Sequence, residues 1–383
     1  MSQMFIPAVF YRGGSSKGVF FHAHHCPAER EVLDAMLLSA LGSPDPYGRQ
    51  LDGMGGGTSS LSKAVIIGPA TRPDADVDYT FAQVAVDRPV VDWGASCGNL
   101  SSAVGPFAVD EGLVRVEDGE ALVRIHQVNT KKIIHARFPV RHGKAVTAGD
   151  FTIDGVSGSG ARIALDFLDP GGTVTSGLLP TGKVFETIAI DGRSFDVSIV
   201  DATNPVVFVD AGQLGLDISA LPDTIEADRD LMAILDRLRR LAAVRMGLAL
   251  SPENAGLANP KIAVIGKRGS FAALDGRRIG PEFHDIAVRM LSMERVHRAV
   301  TLTGAMCLAA ACGIHGSLAH RLAGTPDKVD TVRIGHPSGV VAAGARVTST
   351  ATGWHVTSAT VYRTARRLMQ GQVAVAPFDG VPS

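Results

Sequence analysis

The chain has 383 residues, 45% of them hydrophobic and 20% charged, with 37 Lys and Arg against 38 Asp and Glu. That length favours two domains over one core, and the near-neutral balance excludes a surface built for broad binding of nucleic acid or anionic lipid. Four cysteines without a CxxC pair, no basic region opening MSQMFIPAVFYRGG and no apolar run near ~20 residues lead us to expect a cytoplasmic protein with no membrane span.

In chain order, MFIPAVFYR (4–12) reads as a strand ending at Gly13-Gly14, and GVFFHA (18–23) as a second. AEREVLDAMLLSALG has helical spacing, with Val32, Met36, Leu37 and Leu41 on one face and Gly42 placed to stop it. A long loop, SPDPYGRQLDGMGGGTSSLS, leads to Lys63. Strands AVIIG and VDYTFAQVAVD come next, then the turn VVDWGASCGN and a helix of small residues, LSSAVGPFAVDEGLV. VRIHQVNTKKIIHARFPV reads as paired strands.

The second half repeats this order. NPVVFVDAGQLG resembles KGVFFHAHHCP, and EADRDLMAILDRLRRLAAVRMG is an amphipathic helix with Glu226 and Asp228 in its first turn. PKIAVIGKRG parallels SKAVIIGPA, so that Lys261 falls where Lys63 falls. RAVTLTGAMCLAAACGIHGSL parallels WGASCGNLSSAVGPFAVDEGL, with Gly304 matching Gly98. A duplicated α/β unit is expected, with helix N-termini near Gly98 and Gly304 facing one cleft. The boundary is placed near LLPTGK, giving domains 1–182 and 183–369, with a C-terminal strand at 370–383 returning to the first.

GMGGGTSSLSK (53–63) has the composition of a phosphate loop but not its order. A P-loop needs glycine before its lysine and a hydroxyl after it, whereas Lys63 lies between Ser62 and Ala64. GGSSKGVF fails in the same way, and the residues after Gly57 lead into a strand rather than the helix of a dinucleotide fingerprint. The glycines instead suggest backbone N–H groups close to an anion, with Lys63 at a strand entrance. Cys97 lies just ahead of a helix opening through Gly98 and Asn99, where the dipole favours a thiolate or a bound carboxylate. Cys307 and Cys312 lie inside a helix and read as small core residues. His22, His24 and His25 lack further ligands at a familiar spacing, so no metal is expected.

Taken in order, YRGGSSKGVFF, GSPDPYGRQLDGMGGGTSSLSK, VDWGASCGNLSSAVGPFA, LLPTGK, RMG, GHPSG and RTARRLM closely resemble the 2-methylaconitate cis-trans isomerase (PrpF) family. Its relatives include 4-oxalomesaconate tautomerase and methylitaconate Δ-isomerase. The resemblance implies a diaminopimelate-epimerase-like α/β (α+β) fold: two similar domains, each a curled sheet around a central helix, with the active site in the cleft between them. It also implies cofactor-free movement of a double bond in an unsaturated di- or tricarboxylate, with Lys63 and Cys97 catalytic.

Expected substrate contacts are the amides and hydroxyls of Gly13, Gly14, Ser15 and Ser16, of Gly55, Gly56, Gly57, Thr58 and Ser59, and of Gly98 and Asn99. Thr303, Gly304, His336 and Ser338 are expected from the second half, and Arg12 as a cation. A lysine base must be neutral, and an ordinary lysine with pKa about 10.4 is not. Burial, or Arg12 or Lys17 nearby, is expected to supply the difference. Thr303-Gly304 stands where the epimerases carry a second thiol, which argues against a two-cysteine racemase. Alternatives are a 4-oxalomesaconate-type tautomerase and a non-catalytic accessory protein of an aconitase-like enzyme. The expected partner is a small unsaturated polycarboxylate, and a homodimer is the expected assembly.

Overall fold

A computed structural model of the chain describes residues 3–94, 97–257, 259–292, 295–324, 331–351 and 353–377. Ala95 and Ser96 of the DWGASCGN turn, and residues 378–383 of the expected returning strand, lie outside the described residues.

The longer elements of the first half are β1 (Met4–Gly13), β2 (Ser16–His22), α1 (Arg30–Leu41), β3 (Lys63–Pro69), β4 (Val77–Val84), α2 (Gly98–Asp110), β5 (Gly119–Gln127) and β6 (Lys132–Arg141). In the second half come β7 (Glu186–Ile190), β8 (Arg193–Asp201), β9 (Pro205–Asp210), α3 (Arg229–Arg245), β10 (Lys261–Lys267) and β11 (Ile286–Ser292). Then come α4 (Leu302–Gly313), β12 (Val332–His336), β13 (Gly339–Thr350), an eleven-residue strand over Gly353–Arg363 that pairs with β13, and, last, β14 (Ala365–Val375).

The chain divides into two compact units, residues 1–165 with 362–383, and residues 166–361. In the first, strands neighbour one another in the order β14-β1-β2-β3-β4-β5-β6. In the second the order is β7-β8-β9-β10-β11-β12-β13. Both sequences alternate identically: antiparallel twice, parallel, antiparallel, parallel, antiparallel. The duplication legible in the sequence is therefore present strand by strand. The units differ in where the first strand comes from. In the second it precedes its neighbour, whereas in the first it arrives from the chain's end.

The division falls at 165/166 and the chain re-enters at Tyr362, ahead of the 182/183 and 370 positions read from the sequence. The reason lies in hydrogen bonding around Asp201. Its side chain accepts from Val174, Thr175 and the Thr175 hydroxyl, and its N–H donates to Leu178, so this stretch folds with the second unit.

Each unit has one helix with a single apolar face and one buried along most of its length. α1 packs Leu33, Met36, Leu37, Ala40 and Leu41 against Val19, Phe21, Ala64, Ile66, Ala82 and Val373. Leu33 takes the buried place expected for Val32, and Gly42 stops the helix at φ +71°, a left-handed position that glycine adopts without strain. In α3 the equivalents are Leu231, Leu235, Leu238 and Ala242. Asp228 caps α3 by accepting the Leu231 N–H, while Glu226 lies outside that helix and accepts the Val296 N–H. α2 is buried from Leu100 to Val109 and α4 from Gly304 to Cys312, as suits a helix wrapped by its own sheet. No described helix is long and apolar enough to cross a membrane.

Candidate active site

Lys63 opens β3, and the β3–β4 register sets it opposite Gln83. Its side chain is buried, with Nζ donating to Gln83 Oε1 at 2.5 Å and lying 5.0 Å from the centre of the Phe81 ring. Gln83 then donates through Nε2 to the carbonyls of Ser59 and Ser62, at 3.0 and 2.9 Å. One amide thus holds both the lysine and the loop that delivers it. Neither cation expected beside Lys63 is among these contacts. Arg12 donates to Gly14 O and to Thr364, and Lys17 Nζ lies over the Phe10 ring.

Cys97 is the N-cap of α2, its Sγ accepting the Leu100 N–H at 3.4 Å. Its carbonyl receives the Ser101 N–H, the Ser101 hydroxyl and the Tyr79 hydroxyl. Tyr79 is fully buried; burial first, and then the neighbouring Cys97, push its phenol well above the usual value, so it remains a donor. Gly18 on β2 brings the opening of β3 and the first turn of α2 together. A Cβ there would meet Lys63 O at 2.6 Å and Leu100 Cδ1 at 3.1 Å, so only glycine lets the start of β3 and the first turn of α2 close on this strand.

The glycine loop is organised differently from the expectation. Its hub is Gln50, which is 1% exposed and donates to the hydroxyls of Ser43 and Ser62 while accepting the Gly57 N–H. The Gly55 N–H goes to Leu41 O, and a Cβ at Gly55 would overlap the Gln50 amide. These amides brace the loop, and so are not open to an anion. The Gly14 N–H is likewise taken, by Thr364 O. Thr58 and Ser60 share a hydroxyl contact, and Ser59 contributes its carbonyl to Gln83. Gly56 packs on the Leu61 side chain.

At the other edge of α2, the β1–β2 turn (Gly13, Gly14, Ser15, Ser16) meets the helix terminus. Gly13 abuts Asn99 O and Ser102 Oγ, and Asn99 Nδ2 donates to Ser15 Oγ at 3.2 Å. Asn99 Oδ1 accepts from Arg363 Nε at 3.2 Å. The N–H groups of Gly98 and Asn99 have no acceptor among the described residues.

In the second unit, Thr301 caps α4 and its hydroxyl accepts the Gly304 N–H at 3.1 Å. Cap against cap, Thr301 stands where Cys97 stands, two residues before the Thr303-Gly304 match read from the sequence, and Gly304 has no free amide. Thr303 accepts the Thr203 hydroxyl at its carbonyl. His336 is buried at the end of β12, where Nδ1 accepts the Ser338 N–H; the Ser338 hydroxyl is donated to Arg298 O. Cys307 and Cys312 are sealed inside α4, and burial pushes both thiols up. His22 pairs with Glu111, and His24 and His25 leave the strand for a short 3-10 turn.

Gln83, Tyr79, Gln50 and Arg363 are the site's residues that the sequence did not reveal. The first three depend on a register or a loop packing that no local pattern specifies. Arg363 belongs to the RTARRLM motif, although nothing in that motif states what the arginine touches.

Two like units, each a sheet closed on a buried helix, define the racemase and epimerase class of fold. A probable proline racemase from Agrobacterium radiobacter K84 superposes over 98% of this chain and 94% of its own, with TM-score 0.51 and 16% identity, a likeness of fold alone. The chain belongs to the PrpF protein family, which it matches over residues 3–376. It is 40% identical over 387 aligned positions to 2-methyl-aconitate isomerase of Cupriavidus necator, covering 97% of this chain and 98% of that protein. It is also 40% identical over 377 positions to 3-methylitaconate isomerase of Eubacterium barkeri, with the same coverage. A crystal structure of methylitaconate-delta-isomerase superposes with TM-score 0.91 and 39% identity, over 98% of this chain and 96% of that one. The class of activity is isomerisation.

Proposed function

We propose that this isomerase moves a proton between the two ends of an allylic system in an unsaturated di- or tricarboxylate of the 2-methylaconitate type, without a cofactor. The observation that carries this reading is the packing at Gly18, which sets the opening of β3, where Lys63 stands, against the first turn of α2, which Cys97 caps. The reaction needs two proton-exchanging groups and donors for the charge between them. One group removes a proton from the sp³ carbon beside a conjugated alkene. The electron pair delocalises as a dienolate onto a carboxylate oxygen, and a proton returns two carbons away, so atoms and charge balance over the cycle.

Lys63 and Cys97 are the proposed pair, either of which can open the sequence. The N–H groups of Gly98 and Asn99, without an acceptor among the described residues, are the proposed donors for the dienolate, at the positive end of a thirteen-residue helix. While the intermediate lasts, the former double bond rotates as a single bond, so cis-trans exchange and positional isomerisation share one site. The identity to a 2-methyl-aconitate isomerase over nearly the full length of both chains supports this substrate type. Incubation with 2-methylaconitate isomers, methylitaconate and 4-oxalomesaconate, separated by liquid chromatography, tests the reading. Interconversion among the first two supports it, and turnover of 4-oxalomesaconate alone moves the enzyme to the tautomerase reading.

A further inference from the structure

Arg363 lies where the chain re-enters the first unit, just ahead of β14, and is 9% exposed. Burial pushes its pKa down to about 10. Nε donates to Asn99 Oδ1 and Nη1 to the Tyr362 carbonyl at 2.8 Å, while Nη2 has no acceptor and no carboxylate pairs with the group among the described residues. A charge buried without a counterion is costly, and proteins ordinarily pair it. The Asn99 that Arg363 touches is the second residue of α2, whose first turn contains no acidic side chain. A Cβ at Gly14 would overlap Asn99 Oδ1 and lie 3.1 Å from Arg363 Cδ, so hairpin turn, helix terminus and guanidinium converge. Arg12 adds a second guanidinium whose bonds all go to neutral oxygens, with the exposed Arg366 opposite it across the β1–β14 pair. Three cations and two helix N–H groups thus lie in this stretch, none of them paired with a carboxylate among the described residues.

We infer that Arg363 anchors one carboxylate of the substrate, through its unclaimed Nη2 edge together with the N–H groups of Gly98 and Asn99. This rests on the polycarboxylate reading of the same site. Asn99 orients the guanidinium from one side and the Tyr362 carbonyl from the other, which leaves the outer edge in place before substrate arrives.

The test uses the full-length enzyme, its Arg363→Met and Arg363→Lys variants, and a set of substrate analogues in which each carboxylate in turn is a carboxamide. Arg363→Met is expected to lower kcat/KM by roughly 10- to 100-fold, chiefly through KM, and Arg363→Lys by less. Because the wild-type charge has no counterion among the described residues, Arg363→Met is expected to melt no lower than wild type. One carboxamide analogue is expected to lose that same factor in the wild type and nothing further in the variant, a coupling that a merely structural arginine would not show. If Arg363→Met does not fold, the same coupling is read in Arg363→Lys. An active wild type whose foldable variants stay within threefold in kcat/KM, or lose equally with every analogue, overturns the anchor alone. A wild type inactive on every polycarboxylate overturns the functional reading and the anchor with it.

Discussion

Replacing Gln83 with leucine removes the one side chain that both grips Lys63 and ties down the loop before it. Three hydrogen bonds are lost: the 2.5 Å bond from the Lys63 ammonium and two to the Ser59 and Ser62 carbonyls. A bond involving a charged group contributes about 1.5–3 kcal/mol and a neutral one about 0.5–1.5. The Ser59 bond is exposed to water and adds little, so the charged bond and the Ser62 bond together place the stability loss at about 2–4.5 kcal/mol. The kinetic effect is separate: a reacting group misplaced by about 1 Å costs about 100-fold. Initial rates with the preferred substrate, alongside thermal melting, measure the two effects separately. A Gln83→Leu enzyme within threefold of wild-type kcat would refute the assignment of Gln83 as the residue that aims Lys63.

Thiol labelling should be confined to one site. Burial pushes Cys26 up to about 12, which leaves about one molecule in 10⁴ as thiolate at pH 8. Cys307 and Cys312 are sealed at 0% and 2% exposed against 7% for Cys97, so mass spectrometry after brief alkylation should find Cys97 as the modified residue, slowed by substrate; labelling of α4 in the folded protein would contradict this packing. His284 is completely buried, with its Nδ1 on Gly280 O and its Nε2 accepting the Gly269 N–H, and burial lowers its pKa below that of the unfolded chain. The unfolded state therefore takes up more protons as pH falls below about 6.5, so melting temperature should drop from there downwards, and the drop should shrink in His284→Gln. Gly53→Ala would drive a methyl group into the Gly42 N and Leu41 C backbone atoms, which cannot swing aside; a loss of about 3 kcal/mol is expected in denaturant titration, and a neutral result would show the loop more yielding than its packing implies.

Local pattern carries much of the fold. The apolar spacing of 32–41 specifies α1 to within two residues, Gly42 marks its end, and the strands opening at Lys63 and Lys261 can be matched because both are short apolar runs that begin on a lysine. Two helices without a polar face mark the buried centres of the two units. Long-range pairing is what local pattern does not convey. β14 joins β1 across nearly the whole chain; the sequence places a returning strand at 370–383, but neither its earlier start at Ala365 nor the approach of Arg363 to Asn99 leaves a trace in nearby residues. The glycine run shows the same limit from the other side. Its composition suggests anion-binding amides, whereas a single buried glutamine, Gln50, claims the Gly57 amide and requires the bare Cα of Gly55. The second cap falls two residues from its sequence match for a related reason: glycine pairs with glycine in the sequence, although the structural equivalents are the capping side chains Cys97 and Thr301.

The central claim is that Lys63 and Cys97 exchange protons at the two ends of an allylic polycarboxylate. Proton NMR in D₂O of the enzyme with 2-methylaconitate, compared with Lys63→Ala and Cys97→Ser, tests it most directly. The account predicts deuterium entering the allylic carbons as the double bond moves or the isomers equilibrate, and each variant abolishing exchange at one or both ends while remaining folded. Isomerisation that continues undiminished in both folded variants would contradict it.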